Sequence, residues 1–144
     1  MAKKILALLI MIVAVFLSAC DSFDPIDSAI EKVGSVSSVT LRSDGISKNE
    51  IACTDEQCKE ILEYLPKLEL HKISADDVPV FYGGGLEIQL NYSDNTNFTF
   101  TVVGENYYEF HHNGSSEFYQ DLSDISSSLV NTIYTAYYKA MEQV

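Results

Sequence analysis

From Leu86 to Val102 the chain repeats with a period of two. Leu86, Ile88, Leu90 and Tyr92 alternate with Glu87, Gln89 and Asn91. After Ser93-Asp94-Asn95, Phe98, Phe100 and Val102 alternate with Asn97, Thr99 and Thr101. Successive side chains of a strand point to opposite faces, so this pattern specifies two half-buried antiparallel strands with one apolar face and one wet face. Gly104-Glu105-Asn106 then turns the chain into Tyr107–His112. Asn113-Gly114 is its strongest hairpin signal, leading to a short closing strand over 116–119. An apolar sheet face must be covered.

Two segments of helical period supply the cover. Thr54-Asp55-Glu56-Gln57 reads as a capping box with two acids in the positive first turn. Cys58, Ile61, Leu62 and Leu65 form one stripe, and Pro66 ends the helix, giving a span of about 54–65. Leu122, Ile125, Leu129, Ile133, Ala136, Tyr137 and Ala140 share a face of a second helix at about 122–141, capped by Asp121 or Ser123. Ahead of them, Val36–Leu41 reads as a strand, Ser43-Asp44-Gly45 as a turn and 46–52 as the returning strand. Leu68 and Leu70 alternate with Glu69 and His71. The expected fold is α+β: an antiparallel meander with one helix inserted after the first hairpin and a C-terminal helix packed on one face.

The N-terminus has a different character. Lys3 and Lys4 precede the unbroken apolar run Ile5–Leu17, 13 residues long. As a helix such a run reaches about 20 Å, short of the ~30 Å hydrocarbon core of a bilayer, which suits an export signal better than a membrane span. It ends in Leu17-Ser18-Ala19-Cys20, which resembles the lipobox of bacterial lipoproteins. The resemblance implies cleavage before Cys20, a thioether-linked diacylglycerol on its sulfur, and anchoring at the outer face of the plasma membrane. Asp21 resembles the signal for inner-membrane retention in bacteria with two membranes. The alternatives are an ordinary secretory signal whose cleavage site precedes a cysteine, and a buried core segment. On this reading residues 1–19 are a signal peptide and 20–35 are the lipidated cysteine and a flexible tether, with a helical turn or two near 26–33. Residues 36–144 form one domain. Beyond the lipobox the chain looks like small bacterial lipoproteins generally, with no closer family.

Removing residues 1–19 leaves seven basic residues against 21 acidic ones, a formal charge of −14. Such a surface is repelled by nucleic acid and by anionic headgroups, which excludes nucleic-acid binding and favours a basic protein partner. Acidity also serves solubility alone, and composition does not separate the two.

The remaining cysteines fall at N′ and N4 of the first long helix, positions that touch in a hydrophobic staple. Cys53 and Cys58 are therefore expected to form a structural disulfide in an oxidising compartment, or to remain two adjacent thiols in a reducing one. The spacing is not C-x-x-C, which argues against a redox-catalytic pair.

Signals for chemistry are sparse. His111 and His112 are neighbours on a strand and point to opposite faces, so they cannot share a metal. Glu109 and His111 share a face, and a metal there needs His71 or Glu87 as well; solvated strand residues are the plain reading. No nucleophile elbow is present, and no cofactor or metal site is expected. Gly83-Gly84-Gly85 lacks the lysine of a phosphate loop. With Phe81 and Tyr82 it makes an aromatic loop suited to a protein interface, or a connection folded over the edge of the core. Of the tyrosines on the last helix, Tyr138 is the one expected to be exposed. The expected function is non-enzymatic protein binding of an immunity, exclusion or inhibitor-like kind. The competing expectations are an envelope sensor of a small ligand or cation, and, behind it, a hydrolase using a histidine with a carboxylate.

Overall fold

The period-two run folds as expected. In the computed structural model, which describes residues 25–43, 49–80, 85–112 and 114–142, β4 (Leu86–Tyr92) and β5 (Asn97–Val103) pair antiparallel with Ile88 opposite Phe100. β6 (Tyr107–His112) and β7 (Ser115–Asp121) continue the meander, Phe100 lying opposite Phe110 and Tyr108 opposite Tyr119. Gly104 and Gly114 take φ of 80° and 78° at the two turns, a conformation in which a Cβ would be strained.

The sheet extends beyond this meander at both ends. β1 (Val36–Ser43) adds to β4, and β2 (Glu50–Ala52) adds to β1. β3 (Leu70–Ile73), although it precedes β4 in the chain, lies at the opposite edge against β7. All seven strands are antiparallel in the order β2-β1-β4-β5-β6-β7-β3.

Opposed residues share a face, and the register puts Val39, Leu41, Ile88, Leu90, Phe100, Val102, Tyr108 and Tyr119 on one side, all buried. The helices close that side. In α2 (Asp55–Tyr64) the capping box is complete: Thr54 Oγ1 accepts the Gln57 N–H at 3.3 Å, and Gln57 Oε1 accepts the Thr54 N–H at 2.8 Å. Ile61 and Leu65 enter the core, Leu65 from the 3-10 turn Leu65–Lys67 that carries Pro66. α3 (Ser126–Met141) buries Leu129, Ile133, Ala136 and Tyr137.

Three expectations need correction. The last helix starts at Ser126, not near 122, with Ile125 at its N-cap and no side-chain cap, so Leu122 is 56% exposed. The carboxylate of Asp121 is used elsewhere, accepting the N–H of Glu69 at 2.7 Å and the N–H and hydroxyl of Ser123 at 3.1 and 2.7 Å. Residues 25–35 are not a flexible tether. Pro25–Glu31 forms helix α1, which puts Ile26 and Ala29 into the core, and a 3-10 turn over Val33–Ser35 leads into β1. Residues 1–24, which include the expected signal peptide and Cys20, lie outside the described residues.

Candidate functional site

Among the described residues the α-helices all lie on one side of the sheet, and none of them covers the other face, called the bare face below. Its central row runs Glu50–Arg42–Glu87–Thr101–Glu109–Phe118–Ile73, one residue per strand from β2 to β3. Beside it Val103, Tyr107, Gln120 and His71 form a second row. Thr40, Gln89, Thr99, His111 and Ser116 fill the remainder.

One end of this face is polar and internally ordered. Arg42 pairs with Glu87, donating from Nε at 2.8 Å and also from Nη2. Asn91 donates to Ser38 Oγ and Thr40 Oγ1, both at 3.2 Å, and accepts from Gln89 at 2.7 Å. At the other end Tyr107, Phe118, Val103 and Ile73 are half-buried. An aromatic and aliphatic patch therefore adjoins Glu109 directly.

His111 is positioned by its neighbours. Its Nε2 lies 3.2 Å from Thr101 Oγ1, its Nδ1 3.2 Å from Ser116 Oγ, and Glu109 Oε1 is 3.8 Å from Nδ1. A hydroxyl, an imidazole and a carboxylate in line resemble a proton relay, but Thr101 is only 5% exposed, which closes its hydroxyl to a substrate. The same contacts occupy both ring nitrogens. Glu87 is separated from Glu109 by Thr101, two strand spacings or about 10 Å, and His71 lies beyond Gln120 and Tyr107. The four residues considered as metal ligands are thus not brought together, and no group of three such ligands occurs among the described residues. The side chain of His112 lies outside the described residues.

The aromatic loop expected at the partner site falls in part outside them too: Phe81, Tyr82, Gly83 and Gly84 are not described. Gly85 is, and it rests on the bare face. A Cβ there would stand 2.5 Å from the Thr101 methyl and 2.8 Å from the Val102 carbonyl oxygen. Tyr138 is 60% exposed on α3, on the opposite side of the sheet, and its ring stacks on Tyr134 at 6.2 Å and meets Tyr137 edge-on at 5.7 Å. It and Gly85 do not belong to one surface.

The helix side holds an apolar cleft where α1 crosses Leu65, Leu68, Leu70, Phe98 and Phe110. It encloses about 20 Å³, room for a single water and far less than a small-molecule site requires. Its walls are apolar.

Cys53 and Cys58 sit in the staple as expected, but as free thiols; the expected bridge is not formed in this structure. The Cys58 Sγ lies 3.8 Å from the Cys53 carbonyl oxygen. Burial foremost, then the adjacent Cys58, pushes the Cys53 thiol up to about 12.

Sequence reasoning placed Glu109 and His111 on one face, yet it missed Thr101 and Ser116 as the partners of His111, and Phe118 as the neighbour of Glu109. Those assignments require the register between strands. No family model, curated protein or solved structure matches the chain.

Proposed function

We propose that this protein is a lipid-anchored, extracytoplasmic binding module that holds or blocks a basic protein partner on its bare sheet face, without catalysis of its own. The observation that carries this reading is the one-sided cover of the sheet. The seven described strands present a face on which Glu50, Glu87 paired with Arg42, and Glu109 are interspersed with amides and hydroxyls, Glu109 adjoining Tyr107 and Phe118. A cationic side chain seated beside Glu109 pairs with the carboxylate and lies against Phe118 or Tyr107, the combination that anchors arginine at protein interfaces. The acidity of the whole chain steers such a partner in.

The anchor reading rests on the lipobox resemblance, and no helix among the described residues is long and apolar enough to cross a membrane. With α1 part of the domain, only residues 21–24 lie in sequence between Cys20 and the helix's first residue, Pro25. Four residues span at most about 14 Å, so the domain would sit at the bilayer surface. α1 lies in the helix layer, on the side of the sheet opposite the proposed binding face. The alternative, a sensor of a small ligand or cation, has weaker support, because the apolar cleft is water-sized.

A photo-cross-linking residue placed at Gln89 or Thr99 tests the proposal in native membranes, with Ser127 and Asn131 on α3 as controls. The expected result is a discrete protein adduct from the two sheet positions that Glu109→Lys abolishes. Adducts from α3 alone, or no adduct together with thermal stabilisation by a small solute, would overturn it. For the anchor, Cys20→Ala should release the protein from the membrane fraction; unchanged fractionation would remove that part of the proposal.

A further inference from the structure

The two thiols at the junction of β2 and α2 are used by nothing described so far. We propose that Cys53 and Cys58 form a site of thiol–disulfide exchange, in which Cys58 attacks an incoming disulfide and Cys53 resolves the mixed disulfide into an intramolecular bridge.

Geometry holds the pair together. The Cys53 N–H donates to Val39 O at 2.9 Å, which pins that residue to β1. The Cys58 N–H donates to Thr54 O at 2.8 Å within the first turn of α2. The capping box fixes that turn relative to Cys53, and Cys58 Sγ reaches back to within 3.8 Å of the Cys53 carbonyl oxygen. Both side chains pack against the core yet remain partly exposed. A reagent can therefore reach them, and little motion is needed to join them.

The order of attack follows from their surroundings. Cys58 lies in the first turn of α2, whereas Cys53 is pinned to β1 through its own N–H. Cys53 lies outside the helix, and its burial opposes ionisation. In the first step the Cys58 sulfur bonds to one sulfur of the oxidant, whose other sulfur leaves as a thiol carrying the Cys58 proton. In the second, Cys53 sulfur bonds to Cys58 sulfur, the remaining oxidant sulfur leaves, and the Cys53 proton goes with it. The protein dithiol loses two electrons and the oxidant disulfide gains them, becoming two thiols. The product ties the first turn of α2 to the end of β2.

The test uses the full chain with oxidised glutathione as the probe, followed by peptide mapping without reduction. The expected product is a Cys53–Cys58 cross-linked peptide with two hydrogens lost and no retained glutathione. Cys53→Ser should accumulate a glutathione adduct on Cys58, and Cys58→Ser should be modified at Cys53 at least tenfold more slowly. A wild-type protein that keeps two free thiols or a stable mixed disulfide would overturn the site. Equal or faster modification of Cys53 in Cys58→Ser would overturn the order of attack. The wild-type map alone decides the first point, so it does not depend on either variant folding.

Discussion

The carboxylate of Asp121, 2% exposed at the end of β7, accepts the backbone N–H of Glu69 at 2.7 Å just before β3 begins. It also holds the N–H and hydroxyl of Ser123. One side chain thus fixes the far edge strand of the sheet and the bend that leads into α3. The Leu122 N–H donates in turn to Glu69 O at 3.0 Å, so this short stretch is bonded from both sides. Replacement by alanine leaves buried donors unpaired and should cost about 2–3 kcal/mol in denaturant unfolding. Asp121→Asn keeps one acceptor oxygen and offers Ser123 a donor, so it should cost about 1 kcal/mol. Equal losses for the two variants would show that charge matters more than hydrogen-bond geometry.

Ile26 distinguishes a packed α1 from a tether. It is 4% exposed and lies in the core with Leu65, Leu90, Phe100 and Phe110. Ile26→Ala should destabilise by about 2–4 kcal/mol, as expected for a core truncation. A mobile tether would show no change in the same chemical denaturation experiment. Limited proteolysis gives a second readout, since cleavage within 25–31 should appear in the variant before the wild type.

How much of this was legible in advance follows from how local each feature is. The alternation over Leu86–Val102 and the capping box at Thr54 are determined by residues close in sequence, and both folded as read. The edge position of β3 was not legible. Its four residues pair with a strand nearly 50 residues later, and nothing in Leu70–Ile73 names that partner. Asp121 looked like a helix cap because aspartate before an apolar helical stripe usually is one; a tertiary donor, the Glu69 N–H, claimed it. α1 was under-read because seven residues make a poor helix on propensity, and burial of Ile26 and Ala29 supplies what propensity does not. For the candidate site, the alternation put Glu109 and His111 on the wet face correctly. The neighbours that give that face its chemistry, Thr101, Ser116 and Phe118, depend on inter-strand register. Its extent depends on the three α-helices of the described residues choosing the other side.

Gly85 allows its close approach to β5. An added methyl group would meet the Thr101 methyl at 2.5 Å and, less forgivingly, the Val102 carbonyl oxygen at 2.8 Å. Gly85→Ala should therefore destabilise by about 1–3 kcal/mol through overpacking. It should also reduce cross-linking from Thr99, because the bare face is distorted at its centre. Gly34 is the control: a Cβ there meets nothing within 4 Å, so Gly34→Ala should be neutral or slightly stabilising. If both variants behave alike in thermal melts, close approach is not the reason for glycine at position 85.

Tyr108 ties the sheet to α3 and sets an alkaline limit on stability. It is fully buried, its hydroxyl lies 2.7 Å from Ser126 Oγ, and Ser126 donates to Glu105 O at 3.0 Å. Burial chiefly, with a smaller contribution from the charge of Asp121, pushes the phenol up to about 12 from 10.0 despite the opposing Ser126 bond. The folded state therefore holds this proton more tightly than the unfolded chain. The associated stability is fully present below pH ~10 and is lost as pH rises from there towards ~12, amounting to about 2–3 kcal/mol. Tyr92 and Tyr134 are raised as well, each mainly by burial, and act in the same direction. At neutral pH Tyr108→Phe should cost about 1 kcal/mol for the lost hydrogen bond. Between pH 10 and 12 the variant should lose less stability than the wild type, so that the two unfolding free energies converge. Parallel pH profiles would mean that Tyr108 ionises without opening the core, and that the alkaline limit belongs to the other tyrosines.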